Sequence, residues 1–299
     1  MNHHRAIDTI TAALGARLVG THRFFSNSLQ SLPIGEVIEE TDISLDHLDR
    51  TGIQELSVHT PAGNLTFGYD VWKWIGGDRP TILFHHGNNE DPFDSGRFST
   101  HTFKTIFHGH EGDIPANVIA VRAPFHTLST REFARQMGDL GNFTSMLSGS
   151  VAGIEALIES IRNTTSSPVV LSGFSLGGWV TNLHRAYHGT ATVYAPLFAG
   201  AALDHLFCKS AYRRMVDPTA LNNADKLTSV LNFERSLREA SRGTVLGLLG
   251  RYDQFIRLEA QRDCYAEGDL TIVPKGHVTG SIAGTLLRGH ILKAMRTQT

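Results

Sequence analysis

Only two cysteines, Cys208 and Cys264, occur in 299 residues. They cannot build a disulfide framework or a zinc cage, and they fit a reducing compartment. Neither sign of charge dominates: the formal net charge is −2, and no long block of one sign is present. That removes the electrostatic basis for nucleic acid or an anionic membrane as a partner. No apolar run approaches the length of a spanning helix, and the segment from Met1 to Gly20 lacks the continuous apolar core of a secretory signal. The expectation is a cytoplasmic globular protein without stable membrane insertion. Its 16 histidines include His85-His86 and His108/His110, but no H-E-x-x-H or Cys/His spacing accompanies them. No metal and no cofactor are therefore expected. Oligomeric state leaves no mark in the sequence.

What is present is an alternation of strand and helix patterns. Ile7, Ile10, Leu14 and Leu18 fall on one helical face of the opening segment, which predicts a helix docked on the body through them. The arginines and sparse acids there also faintly resemble an organelle transit peptide. Ser26 to Asp49 reads as an irregular surface connection. Ile53 to Thr60 and Asn64 to Trp72, split by Pro61-Ala62-Gly63, predict a β-hairpin. From Thr81 the strands read as buried on both faces: Thr81 to His85, Val118 to Arg122, Val169 to Leu171, Thr190 to Tyr194, Val245 to Leu249 and Leu270 to Val273. Helices are predicted over Arg97 to His108 and Ser145 to Arg162. The fold class that follows is α/β, a mostly parallel sheet covered by helices on both faces, with an antiparallel N-terminal edge. Leu203 to Gly243 is too long for an ordinary connection. It is either a helix pair that covers the sheet or a small helical cap over the site.

The chain is organised around Val169 to Gly178, VVLSGFSLGG. A β-branched run meets Gly173-Phe174-Ser175-Leu176-Gly177-Gly178, and a helical pattern follows. A serine flanked by glycines two residues either side suits a tight strand-to-helix turn, because side chains there would collide as the backbone doubles back. Such a turn holds the Ser175 hydroxyl clear of the sheet, with a helix N-terminus behind it that favours developing negative charge.

A serine hydroxyl needs a base, and the base works best when a carboxylate fixes its tautomer. In a parallel sheet such groups collect at the carboxyl ends of strands. Asp253 follows the strand Val245 to Leu249, and His277 follows Leu270 to Val273. Asp253 could instead cap a helix and His277 could be a plain loop residue, but two accidents would have to fall at matching strand ends. Asp204 is the rival acid. Two oxyanion donors are expected: the Leu176 N–H, and an N–H of Asn88 or Asn89 in the loop after Thr81 to His85. His86 is expected to hold that loop by hydrogen bonding, and His126 is a loop or pocket residue.

Carried by His86-Gly87, the Gly173 to Gly178 elbow, Gly250 to Asp253 and Gly276-His277, the sequence resembles the α/β-hydrolase superfamily from about Ile53 onward. The resemblance implies a triad of Ser175, Asp253 and His277, an oxyanion hole of Leu176 and Asn88, and a lid in the insertion before Val245. The domain reading is then an N-terminal helix and connection over residues 1–50 and a catalytic domain over 51–299, with 203–243 as the cap. His-His-Gly-Asn-Asn departs from the His-Gly-Gly-Gly run of the lipase and esterase branch. Serine at the elbow argues against the dehalogenase and epoxide hydrolase branches. The expected function is a serine hydrolase acting on a carboxylic ester of a small soluble molecule. Thioesterase, peptidase or amidase, C–C hydrolase and acyltransferase chemistry use the same triad, and a non-catalytic binding protein of this fold is the reading from another class. Arg213, Arg214, Lys226, Arg235 and Arg238 make the cap charged and favour soluble, even anionic, substrates.

Overall fold

The computed structural model describes residues 2–20 and 22–297. Met1, Thr21 and the last two residues of the expected divisions lie outside this set. Strands β1 (Ile53–Thr60) and β2 (Gly63–Lys73) pair as the predicted hairpin. The remaining strands are β3 (Thr81–His85), β4 (Asn117–Arg122), β5 (Val169–Phe174), β6 (Val193–Leu197), β7 (Thr244–Val245), β8 (Gly247–Gly250) and β9 (Leu270–Val273). They form one sheet in the order β1-β2-β4-β3-β5-β6-β8-β9, with β7 beside β6. β2 runs antiparallel to β4, and every pairing among β3 to β9 is parallel. The expected antiparallel edge on a parallel sheet is therefore present.

The helices are α1 (His3–Val19), α2 (Ile34–Glu39), α3 (Thr102–Phe107), α4 (Thr130–Gln136), α5 (Leu140–Arg162), α6 (Leu176–Tyr187), α7 (Leu203–Lys209), α8 (Pro218–Asn222), α9 (Ala224–Leu231), α10 (Glu234–Glu239), α11 (Leu258–Gln261), α12 (His277–Ser281) and α13 (Gly284–Arg296). Along β3, Leu83 faces a core shared with α5 and α6, while Ile82 and Phe84 face a second core built with Phe103, Ile106, Phe107, Leu287 and Ile291 of α3 and α13. That is why the central strands read as unbroken apolar runs: both faces are covered, and each buried aliphatic side chain contributes about 1.5–3 kcal/mol. α7 to α10 occupy the insertion between β6 and β7, and Leu203, Phe207, Leu227, Val230 and Leu231 join the first core.

Three expectations need correction. α1 forms as predicted, but Ile7, Ile10, Leu14 and Leu18 are exposed, Leu18 at 83%. The helix docks through its other face, where Asp8 and Ala12 are buried. Apolar periodicity located the helix and misassigned its face, because a carboxylate can be buried when hydrogen bonds satisfy its oxygens. Second, Ser26 to Asp49 contains α2, whose Ile34, Val37 and Ile38 are buried. Third, the strand placed at Thr190 to Tyr194 lies at Val193–Leu197 and includes Pro196. The missing proline N–H falls where β7 ends and β8 has not yet begun: β7 pairs Val193 and Tyr194, and β8 pairs Leu197.

Candidate active site

Ser175 sits at the joint between β5 and α6 with φ 55 and ψ −106. Such a conformation costs a non-glycine residue about 1–3 kcal/mol, and the surroundings must impose it. They do so through main-chain bonds: Ser175 N–H donates to Leu197 O at 2.9 Å, and Gly177 N–H donates to His86 O at 3.0 Å. The backbones are so close that a Cβ on Gly177 would lie 2.1 Å from the His85 carbonyl oxygen. Only glycine fits there.

His277 opens α12 just beyond β9, and Asp253 follows β8. Ser175 Oγ lies 2.9 Å from His277 Nε2, and His277 Nδ1 lies 2.7 Å from Asp253 Oδ2. With its proton on Nδ1 the imidazole donates to Asp253 and accepts from Ser175. Asp253 Oδ1 accepts from Phe255 N–H at 2.7 Å and Ile256 N–H at 2.8 Å. The capping role and the partner role, alternatives at the level of sequence, are filled by different oxygens of one carboxylate. The rings of Phe174, Phe198 and Phe255 surround the imidazole at centroid distances of 5.2, 6.0 and 5.2 Å. Burial works against a charge on His277, but the carboxylates of Asp253, Asp8 and Glu90 outweigh it and hold its pKa above the ordinary histidine value. Asp204 lies elsewhere: it is buried and accepts from Thr228 Oγ1 and Asn232 Nδ2, both at 2.9 Å, inside the helical insertion.

The loop after β3 is held from several sides. Gly87 N–H donates to Glu90 Oε2 at 2.9 Å, and the same oxygen accepts from Thr102 N–H and Oγ1. His86 Nε2 accepts from Ala123 N–H at 3.0 Å, which puts its proton on Nδ1, and that donates to Gly87 O at 2.6 Å. His126 Nε2 accepts from Asn89 N–H at 3.2 Å, while Nδ1–H donates to Pro124 O. Gly87 and Asn89 N–H are thus engaged. The N–H groups of Asn88 and Leu176 have no partner among the described residues. Burial drives the pKa of His85 down to about 3 and that of His126 to about 4, and puts His86 well below its usual range. These three rings are neutral supports.

Ser175 and His277 open on a cavity of about 290 Å³ whose walls include Ala12, Phe24, Phe143, Trp179, Leu203, Leu206, Tyr212, Met215 and Phe255. Among the described residues Glu90 is the only acidic side chain on the wall, and no lysine or arginine lines it. The cap arginines do not supply an anion site here: Arg213 and Arg214 line a separate groove with Lys209 and Arg257, and Arg235 and Arg238 pair with Glu239 and Glu234 on α10. The cationic side chains that suggested an anionic substrate therefore do not line this cavity among the described residues. Among the described residues no group of three or more His, Cys, Asp or Glu side chains could hold a metal ion, and no helix is long and apolar enough to cross a membrane.

No protein-family model matches the chain, and no curated protein matches it by sequence. Solved structures do match. An acetyl xylan esterase from Thermoanaerobacterium superposes with a TM-score of 0.54 at 15% identity, over 91% of this chain and 96% of its own. A family 15 glucuronoyl esterase from Caldicellulosiruptor kristjansonii gives 0.51 at 11% identity, over 96% of this chain and 85% of its own. The acylaminoacyl peptidase of Pyrococcus horikoshii gives 0.51 at 15% identity, over 84% of this chain and 41% of its own. At such identities the likeness is one of architecture, and the architecture is the α/β-hydrolase fold.

Proposed function

We propose that the protein is a serine hydrolase that cleaves a carboxylic ester carrying a small, uncharged, apolar acyl group. The observation that carries this reading is the unbroken line from Ser175 Oγ through His277 to Asp253, opening on an apolar cavity. Ser175 Oγ attacks the ester carbonyl while His277 Nε2 takes its proton. Asp253 stabilises the resulting imidazolium. The tetrahedral oxyanion is received by Leu176 N–H and Asn88 N–H, each such donor being worth about 2.7–4 kcal/mol in the transition state. The C–O bond to the alcohol breaks, and the alcohol leaves with the proton returned by His277. Water, deprotonated by the same imidazole, then releases the acid and restores Ser175.

The cavity supports the choice of acyl group. Its volume of about 290 Å³ is equivalent to about ten water volumes of ~30 Å³, and burying an unpaired anion against such walls is costly. The names of the structural neighbours include two esterases and a peptidase, so ester and amide bonds both occur among proteins of this shape. The test is intact-protein mass after exposure to a fluorophosphonate, beside Ser175→Ala, followed by hydrolysis of p-nitrophenyl esters of increasing chain length. One adduct, absent from the variant, and a preference for neutral over carboxylate-bearing acyl groups are expected. An adduct retained in Ser175→Ala would remove the serine from the mechanism.

A further inference from the structure

Helix α1 reaches the site from the opposite end of the chain. Asp8, on its docked face, is fully buried. Its Oδ2 accepts from Gln254 N–H at 3.0 Å and from His277 N–H at 2.9 Å, and its Oδ1 accepts from Val278 N–H at 3.0 Å. One carboxylate therefore joins the residue after Asp253 to the backbone of His277 itself. The fit is close: a Cβ on Gly276 would lie 2.8 Å from Asp8 Oδ2. One turn earlier, His4 Nδ1 meets Thr279 Oγ1 at 2.7 Å. Further along, Thr11, Ala12 and Gly15 line the cavity.

We propose that Asp8 is a positioning residue for the reaction: a buried carboxylate, delivered by α1, that holds the loops carrying Asp253 and His277 at a fixed separation. The inference rests on the serine-hydrolase reading of Ser175. A contact that only docked the helix could end on any polar group of the body. This one ends on the main chain of the base and beside the acid, where a displacement of about 1 Å costs up to 10²-fold in rate. The carboxylates facing the imidazole are Asp253, Asp8 and Glu90, so Asp8 also contributes to the field in which His277 exchanges its proton.

The experiment is the rate of fluorophosphonate labelling as a function of pH for the full chain, Asp8→Asn and His4→Ala. In Asp8→Asn an amide donor replaces one acceptor oxygen. Labelling is expected to slow by about 10- to 100-fold, with the pH midpoint moved down because one carboxylate charge near His277 is gone. His4→Ala removes the other tie of α1 to α12, and should lower the melting midpoint while leaving the pH midpoint in place. Wild-type rate and midpoint in Asp8→Asn would overturn the proposal. No labelling of the unaltered chain would count against the serine-hydrolase reading instead. In that case, or if Asp8→Asn does not fold, amide hydrogen exchange in the unaltered chain decides: slow exchange at Gln254, His277 and Val278 is expected, and rapid exchange at these amides overturns the clamp.

Discussion

The Ser175 side of the site and the His277 side differ in how far along the chain their supports lie. Around Ser175 the restraint is main chain on main chain: β5, α6 and the end of β3 meet so closely that Gly177 has no room for a methyl group. Around His277 it is a side chain brought across 269 positions of sequence, from Asp8 to the imidazole's own N–H. The first kind of support comes with forming the sheet. The second exists only once α1 has docked, and it depends on one carboxylate. The electrostatics differ too. His85, His86 and His126, which hold the loop beside the elbow, are kept neutral by burial, whereas the carboxylates around His277 draw a proton toward it.

The comparison can be broken most severely at Asp253. Under the proposed mechanism Asp253→Asn should reduce kcat by about 10⁴-fold, as loss of the orienting carboxylate does in an established Ser-His-Asp triad, with the far-ultraviolet circular dichroism unchanged. Asp204→Asn should leave kcat within a few-fold and cost about 1–3 kcal/mol of stability in urea titration, since its partners Thr228 and Asn232 lie in the insertion. The reverse ranking would move the acid to the end of β6.

A change in stability is expected from Gly177→Ala. Its Cβ has to displace the His85 carbonyl, so the melting midpoint should fall by more than the few degrees typical of a 1 kcal/mol change. Asp8→Asn should lower it less, because Asn keeps one acceptor oxygen and no backbone has to move apart. Equal losses would erase the distinction between the two supports.

The last expected effect is a pH dependence of stability. His85 and His126 have folded pKa values of about 3 and about 4, while the unfolded chain protonates them near 6.5. Below about 6.5 the unfolded state binds more protons, so stability rises with pH there and is lost progressively as pH falls toward 4. His277 has the opposite sign: its folded pKa is raised, so its contribution is present below about 6.5 and lost as pH rises through the folded value. A melting midpoint that falls between pH 6.5 and pH 4, less steeply in His126→Gln, is expected from calorimetry.

That Ser175, Asp253 and His277 would come together was legible in the sequence because each follows a strand by a few residues, and strand ends are where a parallel sheet gathers its chemistry. The preference for Asn88 over Asn89 gains support only from the structure, in which His126 occupies the Asn89 N–H. Asp8 was not legible. An acid within a helical pattern looks solvated, and nothing local signals that its partners are amides of the last quarter of the chain. α2 was not legible because six residues are too few to show a period, and β6, expected at Thr190 to Tyr194, runs on through Pro196 to Leu197. The exposed face of α1 has a related cause: hydrophobicity ranks faces by composition, while docking here was decided by a carboxylate and the three N–H groups waiting for it.

Much of the cavity wall comes from elements that carry neither Ser175, Asp253 nor His277. Ala12 comes from α1, Phe24 from the connection after it, Phe143 from α5, and Leu203 and Leu206 from α7. Ser175, Asp253 and His277 stand on the sheet and its carboxyl-end loops. Under selection, in nature or in a mutant library, the walls can be resized one at a time while the frame beneath them stays as it is. A new preference would therefore be sought first at Leu206 or Met215, and last at the elbow.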